Sequence, residues 1–507
     1  MIPPRVSMGS IMKKLLAPLL LPLVCQLALA ESAPKPDNPE QAHADSFKKR
    51  FAPDLKHPPE SEARLNKWFR DAKYGVLIHF GAYSQLAGQY KGNTDGPPYA
   101  EWAMMTYRIP FKEYREEVVA TFDPKDFDAA EWARTFKALG FRYVVITSKH
   151  HDGLALFKSG VTDYNVVDAT PFRRDIIKEL SEACHREGLK FGVYYSQAFD
   201  WSEPGAPFPS AEAIRKIHPE LPADYTANDQ TMEEYLVRKS LPQVEELMKN
   251  YNIDLVWFDT PASMKPEQGR RFLEIVRKHN PDCVTNSRLL YWPKEQWKPG
   301  QLEFFDYVSL EDKEVPPHKL SLTTESPDSV STSYGYKAHG KVRYHTLQEI
   351  IHRFVHTVCG GGNYLLNFGP MGNGQIDPKA LELFQGVGAW IQDNGESIYG
   401  TQANPLPTRP EWGDANLSKD GKTLYLHVMK WPSDGKLTVN GVAAKPTSVT
   451  FLSPKAADRK VGFTQDGTAL KISLPGQAVD LNDTVLKVPL AEPFPTITKN
   501  SAKIRIP

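Results

Sequence analysis

Residues 143–153 read Tyr-Val-Val-Ile-Thr-Ser-Lys-His-His-Asp-Gly, so an apolar run leads directly into a cluster of polar side chains. Apolar runs at 74–80, 191–196 and 255–259 also end in polar or aromatic groups. Strands that are apolar on both faces are typical of parallel sheets covered by helices. In barrels of this kind the active site lies at the carboxyl ends of the strands. The stretch therefore predicts a parallel α/β fold with a functional site at its strand ends.

The pattern over residues 61–398 predicts a (β/α)8 barrel. Amphipathic segments alternate with the strand candidates, and Ile176, Ile177, Leu180 and Cys184 share one helical face. A doubly wound open sheet is the alternative, but no Gly-rich phosphate loop follows the first strand, which favours the barrel. The strand candidates are 74–80, 143–147, 191–196, 255–259, 284–286, 307–310 and 364–368.

Residues 399–507 have a different pattern, with short alternating runs separated by Asp-Gly, Asn-Gly and Pro-Gly. Such turns are typical of antiparallel hairpins, so this part is predicted to be a small β-sandwich. Its strand candidates are 423–428, 436–439, 448–452, 469–474 and 484–488.

The first 30 residues are predicted to be a secretory signal. A basic start precedes an apolar stretch, and Ala28-Leu29-Ala30 supplies a cleavage pattern, so we expect cleavage after Ala30 and a secreted or periplasmic protein. Lipidation of Cys25 is a weaker alternative, because bulky Val24 precedes it. Residues 31–60 lack apolar periodicity and are interpreted as a flexible or loosely docked leader.

Composition excludes several classes of function. The 61 basic and 61 acidic residues balance, which speaks against a nucleic-acid partner. No run outside the signal reaches the roughly 20 apolar residues of a membrane span. The three remaining cysteines, Cys184, Cys283 and Cys359, are far apart and are expected to be buried free thiols. The oligomeric state stays open.

Polar groups at the predicted strand ends are the candidate functional residues. His79 follows the first strand, His150 and His151 follow the second, and Asp259 ends the fourth. Alternatively, His79 is a hydrogen-bonded core residue and Asp259 a cap for the next loop. Neutral imidazoles here can bind substrate hydroxyls or ligate a metal. Aromatic residues accompany these groups, and ring faces beside hydroxyl-binding side chains suit a sugar.

Seven motifs in order resemble the α-L-fucosidases of glycoside hydrolase family 29 over about residues 60–400. They are K-Y-G-V-L-I-H-F-G-A-Y-S, E-W-A-M, A-L-G-F-R-Y-V-V-I-T-S-K-H-H-D-G, G-V-Y-Y-S, V-W-F-D, S-Y-G-Y and G-G-G-N-Y-L-L-N-F-G-P. The resemblance implies a retaining double displacement without a cofactor, on terminal α-L-fucosyl residues of fucosylated oligosaccharides or glycoconjugates. It also implies a barrel followed by a β-sandwich.

By this resemblance Asp259 is the nucleophile. The residues that match positions holding the fucose ring or its surroundings are His79, Glu101, Trp102, His150, His151, Tyr195, Arg288 and Tyr334.

The resemblance offers more than one candidate for the acid/base residue. Asp306-Tyr-Val-Ser-Leu-Glu311 is similar to the stretch that bears this glutamate in many bacterial members, which favours Glu311. Asp312 and Glu314 lie close enough in sequence to compete. Glu325, which precedes S-Y-G-Y, matches a glutamate considered for the role in relatives.

Two rival functions remain open from the sequence. One is a metal-dependent hydrolase with His79, His150, His151 and Asp259 as ligands, for which loss of activity in EDTA would be diagnostic. The other is a non-catalytic carbohydrate-binding relative that has lost its acid/base. The fucosidase interpretation itself requires no metal.

Overall fold

The computed structural model describes residues 45–47, 49–51, 55–96, 99–292 and 297–495. The predicted signal, with its cleavage after Ala30 and the alternative of lipidation at Cys25, lies outside these residues. Within the described ranges, no helix is both long and apolar enough to cross a membrane. The cysteines Cys184, Cys283 and Cys359 are buried free thiols, as expected.

Eight parallel strands form the first domain, in the order β5-β4-β3-β2-β1-β8-β7-β6. The two outer strands approach each other through a parallel bridge between Asn286 and Tyr307, and the Asp306 N–H donates to Thr285 O at 2.8 Å. Sequential strands are therefore neighbours around the curled sheet, which confirms the barrel and not the doubly wound alternative. The strands are β1 Tyr74–Ile78, β2 Tyr143–Lys149, β3 Lys190–Ser196, β4 Leu255–Asp259, β5 Val284–Thr285, β6 Val308–Ser309, β7 Thr324–Ser329 and β8 Asn363–Phe368.

Six longer helices cover the outside of this sheet. Several begin at a side chain that caps the first turn, as Asp175 does by accepting from the Lys178 N–H. The predicted face of Ile176, Ile177 and Leu180 is buried. The helices are α1 Ala129–Ala138, α2 Ile176–Arg186, α3 Leu241–Asn250, α4 Pro266–His279, α5 Leu347–Cys359 and α6 Pro378–Asn394.

Shorter helical segments lie in the connections and before β1. The α-helical ones are Pro59–Arg64, Arg70–Ala72, Ala103–Thr106, Phe111–Glu113, Val166–Ala169, Ala211–Ile217 and Asp229–Tyr235. The π-helical ones are Leu65–Phe69, Tyr114–Val118 and Leu236–Ser240. The 3₁₀ segments are Ala82–Leu86, Ala100–Trp102, Val119–Thr121, Ser287–Leu289, Pro299–Phe304, Gly395–Ser397 and Pro454–Ala456.

Strand β7 is the barrel strand that the apolar pattern did not predict. Its sequence, Thr-Glu-Ser-Pro-Asp-Ser, is polar except for Pro327, yet all six residues are buried. The buried charges have partners, because Glu325 accepts from three ring donors inside the barrel and Asp328 pairs with Arg353. Paired polar groups thus replace the apolar residues that reveal the other strands.

Residues 413–489 form two antiparallel sheets around a second core. One sheet has the order β12-β15-β10-β9 and the other β11-β14-β13. Apolar side chains from both sheets, such as Leu426 and Ile472, share one cluster, so the predicted sandwich is present. The strands are β9 Gly413–Leu417, β10 Thr423–Val428, β11 Lys436–Val439, β12 Thr450–Phe451, β13 Gly462–Asp466, β14 Ala469–Ser473 and β15 Thr484–Pro489.

The described part of the leader is packed against the barrel. Phe47, Phe51 and Leu55 are each at most 5% exposed and belong to the same core cluster as the barrel helices. His57 Nε2 accepts from the Thr323 N–H at 2.8 Å. Of the two predicted forms of this leader, flexible or loosely docked, the described residues therefore agree with a docked one, anchored by Phe47, Phe51 and Leu55.

Candidate active site

Asp259, the last residue of β4, lies at the carboxyl end of the barrel with its carboxylate 17% exposed. Asp259 Oδ2 accepts from the Tyr194 hydroxyl at 2.8 Å, and Oδ1 lies 3.2 Å from Arg288 Nη1. The Asp259 N–H donates to Gln197 Oε1 at 2.9 Å, which fixes the end of the strand. Two donors thus orient the carboxylate at the barrel mouth instead of it capping the loop that follows.

Tyr194, and not Tyr195, is the β3 tyrosine that faces this carboxylate. Successive strand residues alternate between faces, and Ser196 lies in register with Asp259 on the barrel side. Tyr195 therefore points outward, and its hydroxyl donates to Gln243 Oε1 at 2.9 Å. The structure therefore places Tyr194, and not the predicted Tyr195, beside Asp259.

Arg288 joins two carboxylates at the site. Its Nη2 lies 2.7 Å from Asp312 Oδ1 and also donates to Leu310 O at 2.8 Å, while Nη1 pairs with Asp259. Its Nε donates to Ser309 Oγ at 3.0 Å, and the guanidinium carbon lies 4.7 Å from the Trp257 ring centroid. The planar group therefore places Asp312 close to Asp259.

The hydrogen bonds of His79 determine its tautomer. Asn367 Nδ2 donates to Ser329 Oγ and Tyr334 O, so Asn367 Oδ1 is oriented as an acceptor toward His79 Nδ1 at 2.7 Å. Burial lowers the pKa of His79 to about 4. His79 is therefore neutral near pH 7, donates from Nδ1 and keeps an acceptor lone pair on Nε2.

His151 has the same arrangement of its two ring nitrogens. Ser196 Oγ donates to Phe199 O at 2.8 Å, so it accepts from His151 Nδ1, also at 2.8 Å. His150 stacks on Tyr194 with ring centroids 5.4 Å apart. Burial holds the pKa of His150 and His151 well below the usual value, so both imidazoles are neutral. Both predicted histidines thus belong to the group around Tyr194.

Aromatic rings line the same region. Trp102 lies against His151 with ring centroids 5.2 Å apart and against Trp201 at 5.1 Å. On the other side, Tyr334 lies 5.0 Å from the His79 ring. The predicted aromatic residues Trp102 and Tyr334 are therefore in contact with the histidine cluster.

Glu101 lies beneath this aromatic wall. Its Oε2 accepts from the Gly335 N–H at 2.6 Å, which ties the loop bearing Trp102 to the one bearing Tyr334. Burial raises the pKa of Glu101 to about 7. The side chain thus exchanges a proton close to neutral pH.

The four acid/base candidates lie in different surroundings. Glu311 is the most accessible, with its side chain 47% exposed and Oε1 3.7 Å from Arg50 Nη1. Asp312 is paired with Arg288 next to Asp259, whereas Glu314 is paired with Arg50.

Glu325 is fully buried inside the barrel. Its carboxylate accepts from Tyr143 Oη at 2.7 Å, Trp257 Nε1 at 2.8 Å and Tyr307 Oη at 3.1 Å. Since Trp257 lies two residues before Asp259, Glu325 belongs to the core layer beneath the mouth. The structure therefore separates Glu325 from the group of accessible carboxylates.

Two residues of the polar run at 149–152 lie behind the site. Lys149 Nζ is 3.1 Å from Asp200 Oδ2, with both side chains fully buried, and Asp152 accepts from Tyr114 Oη at 3.0 Å. A register shift between Thr147 and Lys149 pairs Lys149 with the outward-facing Tyr195, and the strand ends before His150 and His151. Tyr194, Asn367 and Gln197 are site residues that the sequence analysis did not assign. Tyr194 could have been assigned from the alternation of side chains along β3, but only if the register of β3 with β4 had been known.

Within the part of the chain that the structure describes, no three or more His, Cys, Asp or Glu side chains are grouped so that they could hold a metal ion. Two side chains of the rival metal hypothesis have protein partners, with His79 on Asn367 and Asp259 on Tyr194 and Arg288.

The chain is similar to known enzymes over most of its length. The human plasma α-L-fucosidase is 31% identical over 395 residues, covering 74% of this chain and 78% of the relative. The structure of α-L-fucosidase from Vibrio sp. strain EJY3 has a TM-score of 0.76 and 28% identity, covering 87% of this chain and 74% of that one. α-L-Fucosidase isoenzyme 1 from Paenibacillus thiaminolyticus has a TM-score of 0.73 and 30% identity, covering 85% of this chain and 100% of that one.

The profile of the family described as α-L-fucosidase matches residues 41–396, which include the whole barrel and every candidate site residue described above. Together with the identity to the plasma enzyme, this match shows that the chain belongs to the α-L-fucosidases of glycoside hydrolase family 29.

Proposed function

We propose that this α-L-fucosidase is a retaining enzyme that removes terminal α-L-fucosyl residues from glycans by double displacement, with Asp259 as nucleophile. The observation that carries the proposal is the position of the Asp259 carboxylate, which two donors orient at the barrel mouth. A second carboxylate, that of Asp312 on the loop after β6, shares Arg288 as a partner with Asp259, and Glu311 immediately precedes it in the chain. A pair of carboxyl groups at close range is what double displacement requires.

The reaction proceeds in two steps. Asp259 attacks the anomeric carbon while the glycosidic bond breaks, and the acid/base residue protonates the departing oxygen. The same residue then takes a proton from water, which attacks the anomeric carbon and releases Asp259. Two inversions leave the α configuration of the product unchanged. The acceptor nitrogens of His79 and His151 bind sugar hydroxyls, and the rings of Trp102 and Tyr334 pack on the apolar parts of the sugar.

We also propose that the protein is exported, to the periplasm or out of the cell. The predicted signal supports this, and one relative is named a plasma enzyme. The proposal keeps Phe47, Phe51 and Leu55, which pack in the core cluster of the barrel, in the mature protein.

The nucleophile assignment is tested with Asp259→Gly. We expect kcat on an aryl α-L-fucoside to fall by several orders of magnitude, since no group remains to form the covalent intermediate. Azide should enter the vacated space and give β-L-fucosyl azide, with inverted configuration. Wild-type turnover by this variant would remove Asp259 from the role.

The acid/base assignment is tested by azide rescue of three alanine variants. The resemblance assigns the role to Glu311, whose side chain is 47% exposed, close to the 44% of Asp312. Glu311→Ala should therefore cleave natural fucosides far more slowly than activated aryl fucosides, because only poor leaving groups need protonation. Azide needs no general base, so it should attack the intermediate on Asp259 and give α-L-fucosyl azide.

The other two variants separate the alternatives. Asp312→Ala would show the same rescue if the carboxylate on Arg288 were the acid/base, which would transfer the role from Glu311. Glu325→Ala should show no rescue, because its carboxylate is enclosed by Tyr143, Trp257 and Tyr307. Rescue of Glu325→Ala alone would contradict the buried position assigned to that side chain.

A further inference from the structure

The segment around Arg50 lies against the loops at the barrel mouth. The ring of Phe51 lies 5.1 Å from that of Trp297, and the ring of Phe47 lies 5.3 Å from that of His318. The Trp297 N–H donates to Arg50 O at 3.1 Å. Trp297 belongs to the connection after β5 and His318 to the connection after β6, so the segment docks between two loops that follow barrel strands.

Arg50 extends from this docked segment to the loop that carries Glu311. Its guanidinium lies over the rings of Phe47 and Phe51, 5.3 and 5.1 Å from their centroids. It hydrogen-bonds Glu314 Oε1, and Nη1 lies 3.7 Å from Glu311 Oε1. The side chains of Arg50 and Glu314 are only 8% and 9% exposed. The ion pair is thus shielded from solvent and held by two aromatic rings.

Glu314 in turn holds the main chain of Glu311. Its Oε2 accepts from the Glu311 N–H at 3.0 Å, while its other oxygen faces Arg50. Residues 311–322 form turns and irregular structure between β6 and β7. With no helix or strand to fix Glu311, its position depends on side-chain contacts such as these.

We propose that Arg50 is a positioning residue for the acid/base, and that the segment preceding the barrel is thereby part of the active-site architecture. Arg50 orients Glu314, and Glu314 fixes the main chain from which Glu311 reaches the glycosidic oxygen. The inference rests on the proposed role of Glu311. It adds an element from outside the barrel strands to the groups that determine the rate of leaving-group protonation.

The test compares two leaving groups in Arg50→Ala. A misplaced acid slows departure of a poor leaving group but hardly affects one that leaves unprotonated. We expect kcat/KM to fall about 10–100-fold on an α-L-fucosyl disaccharide and less than about threefold on 4-nitrophenyl α-L-fucoside. Arg50→Lys, which keeps the charge, should recover most of the disaccharide activity.

Arg64→Ala is the matched control. Arg64 also precedes β1 and also pairs with a carboxylate near β6, since its Nε lies 2.7 Å from Asp306 Oδ1. Asp306, however, precedes β6, at the opposite end of the strand from Glu311. Its loss should change the two substrates equally. Equal losses on both substrates in Arg50→Ala would overturn the inference.

Two further variants keep the test decisive. Glu314→Ala removes the acceptor for the Glu311 N–H and should reproduce the leaving-group dependence if Arg50→Ala fails to fold. In a Glu311→Ala background, Arg50→Ala should cause no additional leaving-group effect. An undiminished effect there would show that Arg50 does not act through Glu311. Wild-type disaccharide turnover by Glu311→Ala alone would instead contradict the proposed acid/base, whatever Arg50 does.

Discussion

Tyr194 and Tyr195 are adjacent in β3, but their hydroxyls lie on opposite sides of the sheet. The Tyr194 hydroxyl donates to Asp259 Oδ2, whereas that of Tyr195 donates to Gln243 Oε1 beneath the helix layer. A hydrogen bond to a charged group contributes about 1.5–3 kcal/mol. The first tyrosine therefore influences the proposed nucleophile directly, and the second influences the packing of the barrel.

Replacement of each hydroxyl separates these roles. Tyr194→Phe should lower kcat/KM by about 10–100-fold, since the Asp259 carboxylate loses a donor that orients it. Tyr195→Phe is the matched control, and it should leave kcat/KM within about twofold while lowering the unfolding temperature. Steady-state kinetics and thermal unfolding of both variants check this. Equal kinetic losses would show that the alternation of the two side chains is not what determines activity.

The two tyrosines also show that a sequence motif does not predict which of two consecutive strand residues faces the barrel interior. The sequence places Asp259, His79, His150 and His151 at strand ends because each directly follows an apolar run. Which of two consecutive tyrosines faces the barrel depends on the pairing of β3 with β4, and Ser196 pairs with Asp259 only in the folded sheet. A shift of one residue exchanges the two faces, so the assignment requires the register.

Among the elements, β7 shows why one barrel strand was not predicted. Apolar runs reveal strands that pack by the hydrophobic effect, as β2 and β4 do. In β7, the carboxylates of Glu325 and Asp328 are buried because donors on other segments of the chain bind them. The sequence of the strand itself therefore gives no sign that these residues are buried. The sandwich strands β9 and β13 were not predicted either. The other five strands of the sandwich, β10, β11, β12, β14 and β15, overlap the predicted strand candidates, which are the alternating runs between turn residues.

The buried carboxyl of β7 should make stability depend on pH. Burial raises the pKa of Glu325 to about 7, above the usual value of 4.5. The folded state therefore binds this proton more tightly than the unfolded state. The stabilisation is fully present below about pH 4.5 and is lost as the pH rises through about 7.

Glu325→Gln removes this proton-binding site while keeping a side chain of similar shape. Relative to the native enzyme, the variant should gain stability between about pH 4.5 and 7, by up to about 3 kcal/mol. Thermal unfolding of both proteins across this range measures the difference. Parallel pH dependences would show that Glu325 does not titrate in the folded state.

On the scale of the whole molecule, the barrel and the sandwich share a continuous contact surface. Val485 from the sandwich belongs to the barrel's outer core cluster. From helix α6, Trp390 Nε1 donates to Asp483 O at 3.1 Å, and from helix α5, His356 Nδ1 lies 2.8 Å from Asp414 Oδ2. Asp414 is 1% exposed. The sandwich thus packs against α5 and α6, the last two helices of the barrel.

Asp414 is the residue whose loss should weaken this contact most. Its carboxylate also lies 2.9 Å from Arg409 Nε and accepts from Asn404 Nδ2 at 2.7 Å. Asp414→Ala leaves these donors and His356 without their acceptor, although the side chains of Arg409 and His356 are 30% and 24% exposed. Losing an acceptor in this way costs about 1–3 kcal/mol. We expect a clear fall in the unfolding temperature, with kcat/KM at 25 °C within about threefold of the native value because the chemistry lies at the other end of the barrel strands.

Asp466→Ala is the control for this substitution. Asp466 lies in the same domain, but its side chain is 84% exposed and it is 3.7 Å from Lys471. An exposed pair contributes about 0–1 kcal/mol, so this variant should unfold near the native temperature. If both aspartate variants unfolded at the native temperature, the polar contact through Asp414 would not couple the two domains, and the apolar contact around Val485 would have to do so alone.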